Sequence, residues 1–289
     1  MSKKTNPTIG VLCFLSAMAL VVFLATIVKK TITHYGISVE EAVFVRATFI
    51  LLFSLPMMIK DKPFSVKKEE FRLNIVRNLL FAISTFLWYR GVVSTSLNNA
   101  VVISFLTPVL STILSVFILK ERLSFVVFSA TLLCTGVTLW LKKVSLDITT
   151  VSFVFLFSAV IMRGFVNIFT KKLTSKGYST RNIVHYNSLL MWLTSLSCIL
   201  TWKPIPLECV LWLCFAGLIY FVETYLATLA YKHCSVSQIQ PLDFSRIVFS
   251  MLISYLVLSE YPTSKQIIAA CIIIFANLTV ILFTTQKKK

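Results

Sequence analysis

QPLDFSRIVFSMLISYLVLSE, residues 240–260, reads between its polar ends as membrane-spanning except for two charges, Asp243 and Arg246. At the centre of a bilayer each such charge costs about 2.5–3.5 kcal/mol on insertion scales. The surrounding run, 235–258, holds twelve Val, Ile, Leu and Phe residues. These favour insertion by about 4–7 kcal/mol, against about 5–7 kcal/mol for the two charges. The helix alone is near balance and needs company. Asp243 and Arg246 stand three apart on one helical face, where they partly neutralise each other. Pro241, just before them, frees backbone carbonyls at the same depth, which is tolerated only where protein or cavity water satisfies them. Two readings stay open: a structural ion pair between helices, or the wall of a hydrated cavity.

The rest of the chain has the same character. Of 289 residues, 57% are hydrophobic and 13% charged, with a mean hydropathy of +0.86. Water-soluble domains carry about a quarter charged residues, so this composition describes a multi-span membrane protein. The net charge of +17 would suggest nucleic acid in a soluble protein, but here the basic residues lie in short clusters between apolar runs, and no nucleic-acid partner is expected. Seven cysteines are scattered inside those runs without a CxxC pair or a histidine at metal spacing. They read as small buried hydrophobes, with neither metal nor cofactor expected.

About 20 apolar residues are needed to cross a ~30 Å hydrocarbon core. By that ruler the runs 9–28, 39–59, 73–93, 99–119, 123–141, 151–170, 182–202, 207–231, 235–258 and 264–283 predict ten transmembrane helices. The polar stretch KDKPFSVKKEEFR, 60–72, is expected to be a loop. Counting Lys and Arg between spans gives seventeen on the side of the N-terminus and seven on the other. Basic residues concentrate on the cytoplasmic side. Both termini are therefore expected in the cytoplasm, with the chain in the cell inner membrane.

The chain also matches itself. A shift of 142 places Ser16-Ala17 on Ser158-Ala159, Phe23 on Phe165 and Lys29-Lys30 on Lys171-Lys172. A shift of 139 places Phe105, Ser111, Glu121 and Ala130 on Phe244, Ser250, Glu260 and Ala269. The domains predicted are residues 9–141 and 151–283, five helices each. Because five is odd, the second copy must enter the membrane upside down. Inverted repeats of this kind hold a binding site near the midplane and alternate its access by rocking one half against the other.

The Arg within span two (VFVRATFILLFSLP), the VRN opening span three, and the stretches NAVVISFLTPVLSTILSVFILKERLS and IQPLDFSRIVFSMLISYLVLSEYP together resemble the EamA-type family of the drug/metabolite transporter superfamily. The resemblance covers nearly the whole chain. It implies ten helices in two inverted five-helix repeats around a cavity for small metabolites. The second half, with Trp202 to Pro204 and the Pro-x-Asp-x-x-Arg core, is also similar to rickettsial members, S-adenosylmethionine uptake carriers among them.

Other polar residues within spans are candidates for the same cavity. Glu223 is a lone carboxylate that either binds a cation or proton or pairs with Arg163 or Arg246 as structure. Arg46 aligns with Asn187 in the repeat, so both copies place a polar group at matching depth in their second helix. Arg163 lies within snorkelling reach of its helix's inner end and is expected to be structural. Arg77 and Arg90 are expected as interface anchors, Trp88-Tyr89 as an aromatic wall or, in preference, as interfacial belt, Pro108 as a kink, and His185, Glu121 and Glu260 as packing residues.

Three function classes compete. An intramembrane enzyme needs a nucleophile or metal set, and no HExxH, GxSxG or paired aspartates suited to a membrane protease are present. Channels assemble symmetry from several subunits, whereas here it lies within one chain. A secondary transporter fits best, with a small polar or zwitterionic substrate of amino-acid type, or S-adenosylmethionine as the alternative. A proton or an exchanged metabolite would drive it, since no phosphate-binding glycine loop is present for ATP.

Overall fold

Asn6 opens the first helix by accepting the Thr8 amide on its side chain, with Pro7 in the first turn, where its missing N–H costs nothing. The computed structural model describes residues 6–61, 68–93, 103–141, 149–196, 202, 204–258 and 261–286, and all regular structure among them is helical. The first half comprises α1 (Pro7–Tyr35), α2 (Val39–Asp61), α3 (Lys68–Val93), α4 (Leu106–Leu119) and α5 (Phe125–Leu141). The second comprises α6 (Thr150–Ser175), α7 (Thr180–Ser195), α8 (Leu207–His233), α9 (Val236–Ile239), a 3₁₀ turn (Gln240–Phe244), α10 (Ser245–Leu258) and α11 (Ser264–Gln286). Gly36 ends α1 in the left-handed region, φ 62°, and its amide reaches Ile32 O at 3.0 Å.

Several expected boundaries move. The 60–72 loop is shorter than its polarity suggested, because α2 runs to Asp61 and α3 already starts at Lys68. Glu69 and Glu70 sit in the first turn of α3, where carboxylates favour a helix by facing its positive end. Residues 62–67 lie outside the described residues, as do 99–102 of the fourth expected span. Pro108 falls in the first turn of α4 and marks a helix start instead of a kink.

The largest correction concerns 235–258, which is not one continuous helix. Ser235 and Gln238 form a reciprocal capping box that starts α9, and after four residues Pro241 enters a 3₁₀ turn. The α9 amides of Val236 and Ser237 donate to the Glu121 carboxylate at 3.0 and 3.1 Å. Glu121 thus packs a loop of the first half onto the broken helix of the second.

Long-range packing dominates. The most extensive interfaces are α3 with α6 and α1 with α8, whereas α1 hardly meets its chain neighbour α2. Next come α2 with α7, α2 with α8, α4 with α6, α5 with α11, and α1 with α10. One apolar cluster holds both members of the pairs Phe105 and Phe244, Ala130 and Ala269, Cys134 and Ile273, and Val137 and Ala276. Each pair is 139 residues apart, and Phe105 and Phe244 stack at 5.4 Å with planes 13° apart.

Polarity is distributed as in lipid, not as in water. Phe117, Phe125, Leu207, Leu256 and Phe275 are 71–84% exposed, while Arg46, Arg77, Asn74, Asn78 and Asn187 are at most 9% exposed. Four helices, Pro7–Tyr35, Thr150–Ser175, Leu207–His233 and Ser264–Phe283, are each long and apolar enough to cross a membrane. Cys134, Cys209 and Cys234 are buried as expected, whereas Cys271 faces outward.

Gly217 sets how closely α8 approaches α2. A Cβ there would lie 3.1 Å from Phe49 Cβ and 3.2 Å from the carbonyl oxygen of Arg46. Gly217→Leu is therefore expected to force the helices apart and to destabilise the protein by about 1–3 kcal/mol. A lowered thermal midpoint in detergent checks this.

Candidate functional site

A cavity of about 1010 Å³ runs between the two halves. Asp243, Arg246, Glu223, Arg46 and Asn187 all stand on its wall, contributed by α2, α7, α8 and the broken segment before α10. The wall extends to Thr33, Val43, Leu141 and Lys265 at one end of the bundle. Toward the other it stops at Phe14, Thr170, Tyr231 and Gln240.

Beyond that floor the helix ends are tied together. Lys171 Nζ donates to the carbonyls of Tyr231 and Cys234 at 2.9 and 2.6 Å, and the Asn6 amide donates to His233 Nδ1 at 3.2 Å. Gln240 Nε2 donates to the Tyr231 hydroxyl at 3.0 Å, and Phe14 meets the Tyr231 ring edge-on at 6.2 Å.

The opening pair is local to its own turn. Arg246 donates from its Nη2 to the Asp243 carboxylate and from Nε to the Asp243 carbonyl at 3.2 Å. The ion pair is therefore local, joining the 3₁₀ turn to the first turn of α10 and not reaching a separate helix, and it faces the cavity; pairing and wall-lining hold together. The break explains how: the 3₁₀ turn ends at Asp243-Phe244, so its last carbonyls and the start of α10 meet at the pair. Arg246 also lies over the Phe105 ring at 5.1 Å.

Glu223 accepts from Thr224 Oγ1 at 3.0 Å and lies within electrostatic reach of Arg163, Arg246 and Arg46. Arg46 lies over the Tyr220 ring at 5.2 Å. Asn187 joins two helices: its Oδ1 accepts from Arg77 at 3.5 Å, and its Nδ2 donates to the Tyr220 hydroxyl at 3.4 Å.

Three residues expected at the membrane interface are on this wall instead. Arg77 is 5% exposed and donates from Nε to Thr170 Oγ1 at 2.7 Å and from Nη1 to Asn78 Oδ1 at 2.5 Å. Arg163 does not snorkel but lies over the Phe81 ring at 4.1 Å. Trp88 lines the cavity and packs against a cluster of Ile103, Leu156 and Val160. The missed signal for Arg77 was the trio Asn74, Arg77 and Asn78, whose three- and four-residue spacing puts them on one face of α3. Nothing in the sequence marked Tyr220 or Tyr231 among so many aromatics.

Arg90 is exposed, and His185 is off the cavity wall, with its Nδ1 2.9 Å from Ser54 Oγ. Glu260 lies outside the described residues.

The EamA-like transporter family matches the chain twice, at residues 8–141 and 150–282. The S-adenosylmethionine uptake transporter of Rickettsia prowazekii (strain Madrid E) is 24% identical over 244 residues, covering 83% of this chain and 82% of its own. The protein of the same name from Rickettsia bellii (strain RML369-C) is 24% identical over 243 residues, covering 83% of each. A chain of known crystal structure superposes with a TM-score of 0.80 at 14% identity, covering 97% of this chain and 99% of that one, which is a likeness of fold.

Proposed function

The chain belongs to the EamA-like transporter family, and from that membership we propose that it moves a small polar or zwitterionic metabolite across the inner membrane by alternating access. It is a multi-pass membrane transporter and not an enzyme. The observation that carries the finer reading is the cavity: both halves build it, it gathers Arg46, Arg77, Arg163, Glu223, Asp243 and Arg246, and among the described residues its wall reaches one end of the bundle.

The proposed architecture is ten spans in two inverted repeats, 9–141 and 151–283. Its support is the exchange of interfaces. Moving each helix to its counterpart in the other half turns α1 with α8 into α6 with α3, α2 with α8 into α7 with α3, and α4 with α6 into α10 with α1. A pseudo-twofold relation between halves requires such an exchange, and rocking about it is how inverted repeats alternate access.

With both termini in the cytoplasm, the tied ends near Glu121, Lys171 and His233 are the inner side, and the cavity faces outward. Fusions at the C-terminus test the topology: a fluorescent protein should fluoresce and a phosphatase should be inactive, and the reverse overturns it. The coupling is to a proton gradient or to an exchanged metabolite.

Asp243 with Arg246, Glu223, and Arg46 with Asn187 are the proposed substrate contacts. A second reading, S-adenosylmethionine uptake, is favoured by the relatives' names. Uptake of labelled metabolites into proteoliposomes, with and without a proton gradient, tests transport itself. At least one should accumulate well above protein-free vesicles, and no accumulation across the panel overturns the reading.

A further inference from the structure

The charges on the cavity wall do not cancel. Four guanidinium groups, Arg46, Arg77, Arg163 and Arg246, face it together with two carboxylates, Glu223 and Asp243. Asp243 is taken by Arg246. Arg77 gives its hydrogen bonds to Thr170, Asn78 and Asn187, all neutral oxygens. Arg46 is 9% exposed, and its buried Nε–H has no acceptor among the described residues.

A buried guanidinium N–H without an acceptor is costly, and the cost falls when an anion arrives. The surroundings of Arg46 are already arranged for one. Arg77 holds Asn187, Asn187 holds the Tyr220 hydroxyl, and the Tyr220 ring holds Arg46, so four helices contribute one arc of donors. Because the Tyr220 oxygen accepts from Asn187, its own proton is left to donate into the cavity.

We propose that the cavity takes a small organic anion, one whose acidic groups outnumber its basic ones, with an acidic group seated against Arg46, Tyr220 and Arg77. The proposal deepens the transport reading and rests on it only for the crossing of the membrane. It also separates this chain from its named relatives. S-adenosylmethionine carries a sulfonium and an ammonium against one carboxylate, and its net positive charge would add to the excess already on the wall.

Three probes with one ring and three charges test it: indole-3-acetate, tryptophan and tryptamine, binding to the purified full-length protein in detergent. Indole-3-acetate should bind at least about tenfold more tightly than tryptophan, with tryptamine weakest. Arg46→Gln should weaken indole-3-acetate and tryptophan, which share the carboxylate, by about tenfold each while leaving tryptamine no weaker, and Arg46→Lys should restore part of the loss. Equal or tighter binding of tryptamine overturns the proposal, as does a folded protein that binds none of the three at about 10 mM, where a specific site should be occupied. Should Arg46→Gln fail to fold, the charge order in the parent protein decides alone. If the binding order holds but no labelled probe enters proteoliposomes, the transport reading fails and the anion site stands.

Discussion

Exchanging the pair, Asp243→Arg with Arg246→Asp, is expected to leave a folded, membrane-inserted protein whose transport falls by about a hundredfold, as a misplaced substrate contact commonly costs. The exchange keeps two opposite charges three residues apart, so their attraction and the neutrality of the broken segment survive. It does not keep their positions. The guanidinium leaves the Phe105 ring, and the carboxylate leaves the 3₁₀ turn for the first turn of α10. A purely structural pair would tolerate that; a pair that orients a substrate would not. Asp243→Asn should likewise lose transport while keeping its abundance and thermal midpoint. Wild-type transport by the exchanged protein sinks the assignment, and failure of Asp243→Asn to accumulate returns the pair to a fold requirement.

Most of the helical plan was legible because it rests on a physical quantity that the sequence carries directly: the length of each apolar run against the thickness of a bilayer. One spacing also carried a contact: Phe105 and Phe244, picked out by standing 139 residues apart, stack in the structure. What was not legible depends on partners far away in the chain. Pro241 announces a disturbed helix, but its form is set by Glu121 at the α9 amides and by Tyr231 against Gln240, neither of which hydropathy relates to it.

The arginines show the same limit. Depth along a helix suggested the interface for Arg77 and Arg163, because a long cation near a helix end can reach water. Depth does not say which way the side chain turns. Thr170 and Asn187, on α6 and α7, turn Arg77 inward, and Phe81 on α3 turns Arg163 inward. The sequence-based candidates therefore included the carboxylates and Arg46 but understated the positive charge around them.

That excess makes Glu223 the most informative single position. Glu223→Gln removes one of the two wall carboxylates while preserving shape and an acceptor for Thr224. Arg163, Arg246 and Arg46, all within electrostatic reach of Glu223, then face each other with less compensation. Two opposite effects are expected. Without ligand the variant should melt at a lower temperature, because like charges in a partly dry cavity repel. Toward an anion it should bind more tightly, by about tenfold for indole-3-acetate, because a competing negative charge is gone. Its thermal midpoint should therefore recover toward the parent's as indole-3-acetate is added, while tryptamine does nothing. Transport should still fall sharply, since an anion held by unopposed arginines is released slowly. An unchanged or weakened affinity for indole-3-acetate would show that Glu223 does not share the arginines' field, and it would detach this carboxylate from the substrate site.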